Sequence, residues 1–217
     1  KDVLVKVSTE TRTSFVYNAI GQVTSYHLMS ISTDTDIITE KDVTFEYDSL
    51  GRASKQTTVS IEYGPGYNEN KSIRYTEVKD GFIYDNLGQV TGYHSITTST
   101  DSSKIIEERV AIEYDSLGRV IYQRITRQER GEGSDNTTVE ERAGFVYNSD
   151  GQLTHYRSKT TDSGSGAVTE QSVDIQYNSQ GRISYQRIET HEYGAETDKT
   201  SIEENTRFSY DSRDRVT

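Results

Sequence analysis

The sequence predicts an all-β fold in which tandem antiparallel β-hairpins form an extended, curved or spiralling sheet. Three observations support it. Apolar and polar residues alternate with a period of two, as at Val43, Phe45 and Tyr47. The chain is rich in residues that favour a pleated surface and includes 16 tyrosines. A tyrosine–Asx–glycine signature also recurs seven times in the 217 residues.

Each signature predicts a tight hairpin turn. The Asx side chain can accept backbone N–H groups two residues on and nucleate a type I turn, and the glycine supplies the positive φ that closes the hairpin. The last copy, at Tyr210, has Asp214 in place of the glycine, a residue that tolerates this conformation better than most. The six complete copies are Tyr17, Asn18 and Gly21; Tyr47, Asp48 and Gly51; Tyr84, Asp85 and Gly88; Tyr114, Asp115 and Gly118; Tyr147, Asn148 and Gly151; and Tyr177, Asn178 and Gly181.

The repeating unit is a pair of hairpins. The signature tyrosines are 30, 37, 30, 33, 30 and 33 residues apart, which gives a two-hairpin period of 63–67 residues. The residue after the turn glycine alternates between glutamine and arginine, as Gln22, Arg52, Gln89, Arg119, Gln152 and Arg182. We therefore distinguish Gln-class and Arg-class hairpins. We expect residues 1–217 to form a single repeat array of about fourteen strands, a segment of a longer protein or filament.

Two rows of tyrosine are expected on this sheet. The signature tyrosines and the Phe or Ile two residues before them should form an aromatic–aliphatic ladder whose cross-strand pairs contribute about 0.2–1 kcal/mol each. The second row lies on the outgoing strands, five residues after glycine in the Gln class and four in the Arg class, so the two classes should face opposite sides. Ladder packing explains this row, and stacking on sugar rings is the alternative. Its members are Tyr26, Tyr93 and Tyr156, and Tyr122 and Tyr185.

Composition argues against several functions. The net charge of −11 opposes binding to a phosphate backbone, so we expect no nucleic-acid partner. Mean hydropathy is −0.81 and no apolar run approaches the length of a transmembrane helix, so we expect no membrane insertion. Cysteine is absent, which removes thiolate chemistry. No nucleophile elbow occurs, and we expect neither catalysis nor a cofactor.

Two groups of residues could suggest a metal or catalytic site. Aspartates near matching loop tips could gather calcium, although solvated turn aspartates are the simpler interpretation because no calcium-loop motif is present. These weak calcium candidates are Asp34, Asp36, Asp101 and Asp162. Among the four histidines, His27 and His94 share a repeat position that is Arg157 in the third copy. Such variation is typical of surface positions.

The signature resembles a known repeat family. Tyr47-Asp48-Ser49-Leu50-Gly51-Arg52 and the matching segment from Tyr114 to Arg119 are similar to the YD repeats of Rhs-type proteins, and the resemblance spans essentially the whole chain. It implies a bacterial exported or surface protein, or an animal adhesion protein, whose repeats spiral into a shell that can enclose a toxin. The units of this chain are longer than the family's usual repeat.

These observations favour a structural role outside the cell or on a bacterial surface. The array would form a wall, fibre or stalk and associate with itself or with further repeats through sheet edges. A carbohydrate-binding adhesin that uses the tyrosine rows is one alternative. Part of a toxin-enclosing Rhs-type shell is another.

Overall fold

The computed structural model describes residues 8–32, 37–64, 72–100, 102–131, 134–194, 197–206, 208 and 210. Their regular secondary structure consists of thirteen β-strands of 8 to 14 residues, and this described part contains no helix. The strands are β1 (Ser8–Tyr17), β2 (Val23–Ser32), β3 (Ile38–Tyr47), β4 (Ala53–Tyr63), β5 (Ile73–Tyr84), β6 (Val90–Ser99), β7 (Ile105–Tyr114), β8 (Val120–Gly131), β9 (Ser134–Tyr147), β10 (Leu153–Asp162), β11 (Val168–Tyr177), β12 (Ile183–Tyr193) and β13 (Asp198–Asn205).

The strands follow one another in a single sheet. Their order is β1 to β13 without a crossover, and each strand is hydrogen-bonded to its neighbours in sequence. The all-β, tandem-hairpin fold predicted from the sequence is therefore confirmed. A fourteenth strand, expected from Arg215 onward, lies outside the described residues. Curvature and spiralling of the sheet stay predictions.

The chain divides into two compact units. Unit 1 comprises Lys1–Arg109 and Glu129–Ser134, and unit 2 comprises Val110–Gln128 and Asp135–Thr217. Strands β1 to β6 belong to unit 1 and β10 to β13 to unit 2, while the boundary runs through β7, β8 and β9. Each unit is described separately below.

In both units the register defines an aromatic face and a polar face. In unit 1, Tyr26 is directly opposite Val43, and the next pair along the strands, His27 and Asp42, lies on the other side of the sheet. In unit 2, Tyr156 is opposite Val173, and His155 is opposite Asp174. The side carrying Tyr26 or Tyr156 is called the aromatic face, and the side carrying the histidine–aspartate pair the polar face.

A β-bulge interrupts the incoming strand of the Gln-class hairpins. Three residues before the signature tyrosine, φ is positive at Ser14 (57°), Gly81 (61°) and Gly144 (67°). The pairing register shifts beside each of them. The extra residue moves the following aromatic residue, such as Phe15, onto the aromatic face. Arg-class strand β3 carries Phe45 and Tyr47 there without a positive φ, and its register with β4 shifts only between Glu46 and Tyr47.

The buried interior is small and repetitive. Among the described residues, the buried apolar side chains are Leu28, Val43, Val110 and Val173. Each of the three valines lies four residues before the signature tyrosine of an Arg-class hairpin. The fold consequently depends on contacts repeated from hairpin to hairpin.

Candidate functional site

The signature turns share one geometry, which Asp48 illustrates. Gly51 donates its backbone N–H to the Asp48 carbonyl at 3.0 Å, and Leu50 and Arg52 donate theirs to Asp48 Oδ1, each at 2.9 Å. Gly51 has φ of +78°, where a Cβ would be strained. The same turn bond and positive glycine φ occur in the copies at Asn18, Asp85, Asp115, Asn148 and Asn178.

In five of the signatures, the tyrosine binds the preceding hairpin. Its hydroxyl donates to a backbone carbonyl two residues after the glycine of the previous turn. In unit 1 these bonds are Tyr47 to Val23 (2.5 Å) and Tyr84 to Ala53 (2.6 Å). In unit 2 they are Tyr147 to Val120 (2.7 Å), Tyr177 to Leu153 (2.9 Å) and Tyr210 to Ile183 (2.7 Å). We call this contact the tyrosine staple.

Arg-class turns add a cation to the staple. Arg52 donates two hydrogen bonds to Asp48 Oδ2, from Nε at 2.8 Å and from a terminal nitrogen at 2.7 Å. Its guanidinium lies 4.5 Å from the centre of the Tyr84 ring. In unit 2, Arg119 makes the same pair with Asp115 and lies 4.7 Å from the Tyr147 ring. Each arginine thus joins its own turn to the next hairpin.

The Gln-class turns at Asn18 and Asn148 make the equivalent link with an amide. Asn18 Nδ2 donates to Gln22 Oε1 at 2.9 Å, and Gln22 Nε2 donates to the Gly51 carbonyl at 2.7 Å. In unit 2, Gln152 accepts from Asn148 and donates to the Gly181 carbonyl. The alternation of glutamine and arginine therefore corresponds to two kinds of link between successive hairpins.

Hydrogen bonding and burial shift the pKa values of these groups. Backbone donation from Arg52 is the largest cause of the lowered pKa of Asp48, and the matching bond from Arg119 lowers that of Asp115. Burial raises the pKa values of Tyr84, Tyr147 and Tyr177. The carboxylates are therefore stabilised as anions, and the phenols in their protonated, hydrogen-bond-donating form.

The outgoing-strand tyrosines of the Gln class pack against phenylalanine. Ring-centre distances are 5.6 Å for Tyr26 and Phe15, 5.7 Å for Tyr93 and Phe82, and 5.7 Å for Tyr156 and Phe145. The three tyrosines are half-buried. They therefore belong to the aromatic ladder on the aromatic face.

The Arg-class tyrosines of unit 2 make polar contacts instead. The hydroxyls of Tyr122 and Tyr185 donate to Glu141 at 2.9 Å and Glu204 at 3.0 Å. Tyr185 is opposite Gln176, whereas Tyr156 is opposite Val173, three residues earlier on β11. In unit 2 the two tyrosine classes thus lie on opposite faces.

Asp162 forms part of a turn. Its carboxylate accepts hydrogen bonds from the Asn136 amide (2.5 Å) and from the Ser165 backbone N–H (2.8 Å), and the first of these is the largest cause of its strongly lowered pKa. Asp34, Asp36 and Asp101 lie outside the described residues. Within the described ranges, no group of three or more His, Asp or Glu side chains is arranged to hold a metal ion.

The histidines lie beside acids on neighbouring strands. His27 contacts Asp42 at 2.9 Å, His155 contacts Asp174 at 2.8 Å, and His94 lies 3.3 Å from Asp80. These pairings follow from cross-strand register. They could not be read from the sequence, where each acid is 14 to 19 residues away.

A shallow depression of about 630 Å³ lies on the polar face of unit 2. A cross-strand row crosses it from β9 to β12 in the order Ala143, Arg157, Ser172 and Glu189. Tyr122 and His191 also line it. Sequence reasoning named Tyr122 as a ligand-stacking candidate but did not identify the depression.

The fold and these contacts define a tandem β-hairpin repeat array. No protein-family model, curated protein sequence or solved structure gives a significant match to the chain. None of the described residues belongs to a helix long and apolar enough to cross a membrane.

Proposed function

We propose that this chain is a structural repeat element that forms part of a wall, fibre or stalk outside the cell or on a bacterial surface. The observation that carries the proposal is the tyrosine staple, a bond that joins each stapled hairpin to the one before it. Such a bond can be repeated indefinitely, so the array can be lengthened without a larger core. The resemblance to YD repeats is consistent with this role and stays a prediction.

Association through sheet edges would extend the array beyond one chain. In the described strand order, β1 and β13 are the terminal strands, each hydrogen-bonded to one neighbour. The β13 side chains are almost all exposed, among them Ile202 at 56%. An edge strand presents unpaired backbone groups that can recruit another strand.

The proposal is tested by measuring self-assembly of the 217-residue chain by sedimentation velocity and electron microscopy over a range of concentrations. We expect oligomers that grow with concentration. Ile202→Lys should reduce their formation because lysine on an edge strand hinders pairing. The matched control, Ile20→Lys, makes the same substitution at a 76% exposed turn residue and should assemble like the parent. A strictly monomeric chain, or equal loss in both variants, would reject edge association.

A further inference from the structure

We infer that the depression on the polar face of unit 2 binds a carboxylate-bearing sugar of an acidic oligosaccharide, with Arg157 as the carboxylate ligand. The inference does not depend on assembly of the array. It rests on the surroundings of Arg157, the charges along the depression and the aromatic groups at its ends.

Arg157 is the exposed guanidinium at the centre of the depression. Its cross-strand neighbours are Ala143 on β9 and Ser172 on β11, and neither carries a charge. Within the described part of the chain, no hydrogen bond, ion pair or ring contact engages the guanidinium. Its five N–H donors are therefore accessible to a ligand.

The equivalent positions in unit 1 are arranged differently. His27 takes the place of Arg157 and contacts Asp42, whose equivalent in unit 2 is Ser172. His94 takes the same place in the next copy and contacts Asp80, whose equivalent is Ala143, and Glu107, whose equivalent Glu170 is paired with Lys159. The third copy thus has a permanent cation and lacks the counterparts of Asp42 and Asp80. The side chain at this position has an acidic cross-strand partner in both copies of unit 1 but not in unit 2.

The acids around the depression already have cationic partners. Lys159 lies 3.0 Å from Glu170, Arg187 lies 2.9 Å from Glu189, and Arg124 lies 3.8 Å from Glu141. Among these cations, Arg157 is the one that has no acidic partner within the described residues. A planar carboxylate matches the fork of the guanidinium and can accept two of its hydrogen bonds.

The remainder of the lining suits a hydroxylated ring. Tyr122 on β8 is two strands from Arg157, roughly 10 Å away across the sheet, and His191 on β12 lies on the other side. Aromatic side chains at such a distance can contact neighbouring sugar rings while Arg157 holds the carboxylate. Glu141, Glu170 and Glu189 keep lone pairs that can accept sugar hydroxyl groups. The surface is too shallow and polar to enclose an apolar ligand.

The experiment is a titration of the full chain with tri-galacturonate, in which binding is measured by calorimetry or by amide chemical shifts. The trimethyl ester of the same trisaccharide is the matched probe. The acid should bind at the depression and the ester at least about tenfold more weakly, because a charged hydrogen bond is lost. Arg157→Gln should weaken binding of the acid by a similar factor. Arg12→Gln, an exposed arginine of unit 1, is the control and should leave it unchanged.

Two further variants test the details. Ser172→Asp restores the carboxylate found at Asp42 and should weaken binding while keeping Arg157. Tyr122→Phe should retain affinity, whereas Tyr122→Ala should lose it, because only the ring is needed. Thermal unfolding of each variant verifies that it is folded.

The inference is overturned if tri-galacturonate does not bind, if the ester binds equally well, or if Arg157→Gln binds like the parent. It is also overturned if acetate or a peptide with a free C-terminal carboxylate competes as effectively as the trisaccharide, since the sugar ring would then contribute nothing.

Discussion

The phenolic hydroxyl of Tyr84 donates a hydrogen bond of 2.6 Å to the backbone carbonyl of Ala53, 31 residues earlier in the chain. This bond joins two hairpins at the turn end of the sheet. Arg52 covers the Tyr84 ring, so one side chain takes part in both a hydrogen bond and a cation–π contact.

Replacing this hydroxyl should measurably weaken the sheet. Tyr84→Phe keeps the ring and leaves the Ala53 carbonyl without its donor, so the free energy of unfolding should fall by about 0.5–1.5 kcal/mol. Urea denaturation monitored by circular dichroism measures the change. Tyr26→Phe is the control, because among the described residues the Tyr26 hydroxyl makes no hydrogen bond, and should alter stability by only a few tenths of a kcal/mol. Equal effects of the two variants would contradict the role of the staple.

The bulge at Ser14 offers a stabilising substitution. Ser14 has φ of 57°, in a conformation that costs a residue with a Cβ about 1–2 kcal/mol, and the equivalent residues are Gly81 and Gly144. Glycine loses more chain entropy on folding than serine, and this offsets part of the relieved strain. Ser14→Gly should therefore raise the free energy of unfolding by up to about 1 kcal/mol. The unfolding midpoint measures it. Thr13→Gly, one residue earlier in extended backbone, should lower stability, and a decrease in both would refute the explanation.

The hairpin array was predictable because its determinants are local. Alternation at Val43, Phe45 and Tyr47 sets the faces of β3, and the Asx and glycine residues determine the turns, so the strand order follows from sequence alone. The bulges had a signal in Gly81 and Gly144, three residues before tyrosine. Ser14 conceals the pattern in the first copy, and two-residue alternation alone predicts a ladder without bulges.

The contacts between hairpins were harder to infer. The signature retains tyrosine where phenylalanine would pack equally well, which indicates that the hydroxyl is used. Its acceptor is a backbone carbonyl, which every residue has, so the sequence does not identify it. The depression around Arg157 depends on two neighbours, Ala143 and Ser172, that lie 14 and 15 residues away. Only the register of β9, β10 and β11 brings them together.

Asp85 departs from the other Gln-class turns. Asn18 donates its side-chain amide to Gln22, and Asn148 donates to Gln152, whereas a carboxylate at position 85 cannot donate to the buried Oε1 of Gln89. Asp85→Asn should therefore stabilise the protein by about 0.5–1.5 kcal/mol. Urea denaturation of the variant measures this. The mirror substitution Asn148→Asp should destabilise it, and a change of the same sign in both variants would refute the pairing.

Asn178 departs from the other Arg-class turns. In those turns Asp48 accepts hydrogen bonds from two nitrogens of Arg52, and Asp115 accepts them from two nitrogens of Arg119. An asparagine side chain carries no negative charge and cannot form the same ion pair. Asn178→Asp should raise the unfolding midpoint at low salt, and the gain should shrink as salt is added. Ser179→Asp introduces the same charge one residue along and is the control. An equal gain in the control would show that net charge, and not the pair with Arg182, is responsible.

Alkaline pH should loosen the sheet through the staples. Burial raises the pKa values of Tyr84, Tyr147 and Tyr177 above the ordinary value of 10.0. A phenol whose folded pKa exceeds its unfolded pKa contributes stability that is fully present below the unfolded value and is lost as pH rises through the folded value. The free energy of unfolding should thus decline from about pH 10 upward, where the unfolded tyrosines begin to ionise.

Urea titrations between neutral pH and pH 11, together with tyrosinate absorbance at 295 nm, would measure this decline. Tyr84→Phe should show a shallower decline than Tyr26→Phe. Tyrosinate that appears at the same pH in folded and urea-unfolded protein would contradict the assignment, since no differential ionisation would then connect the staples to stability.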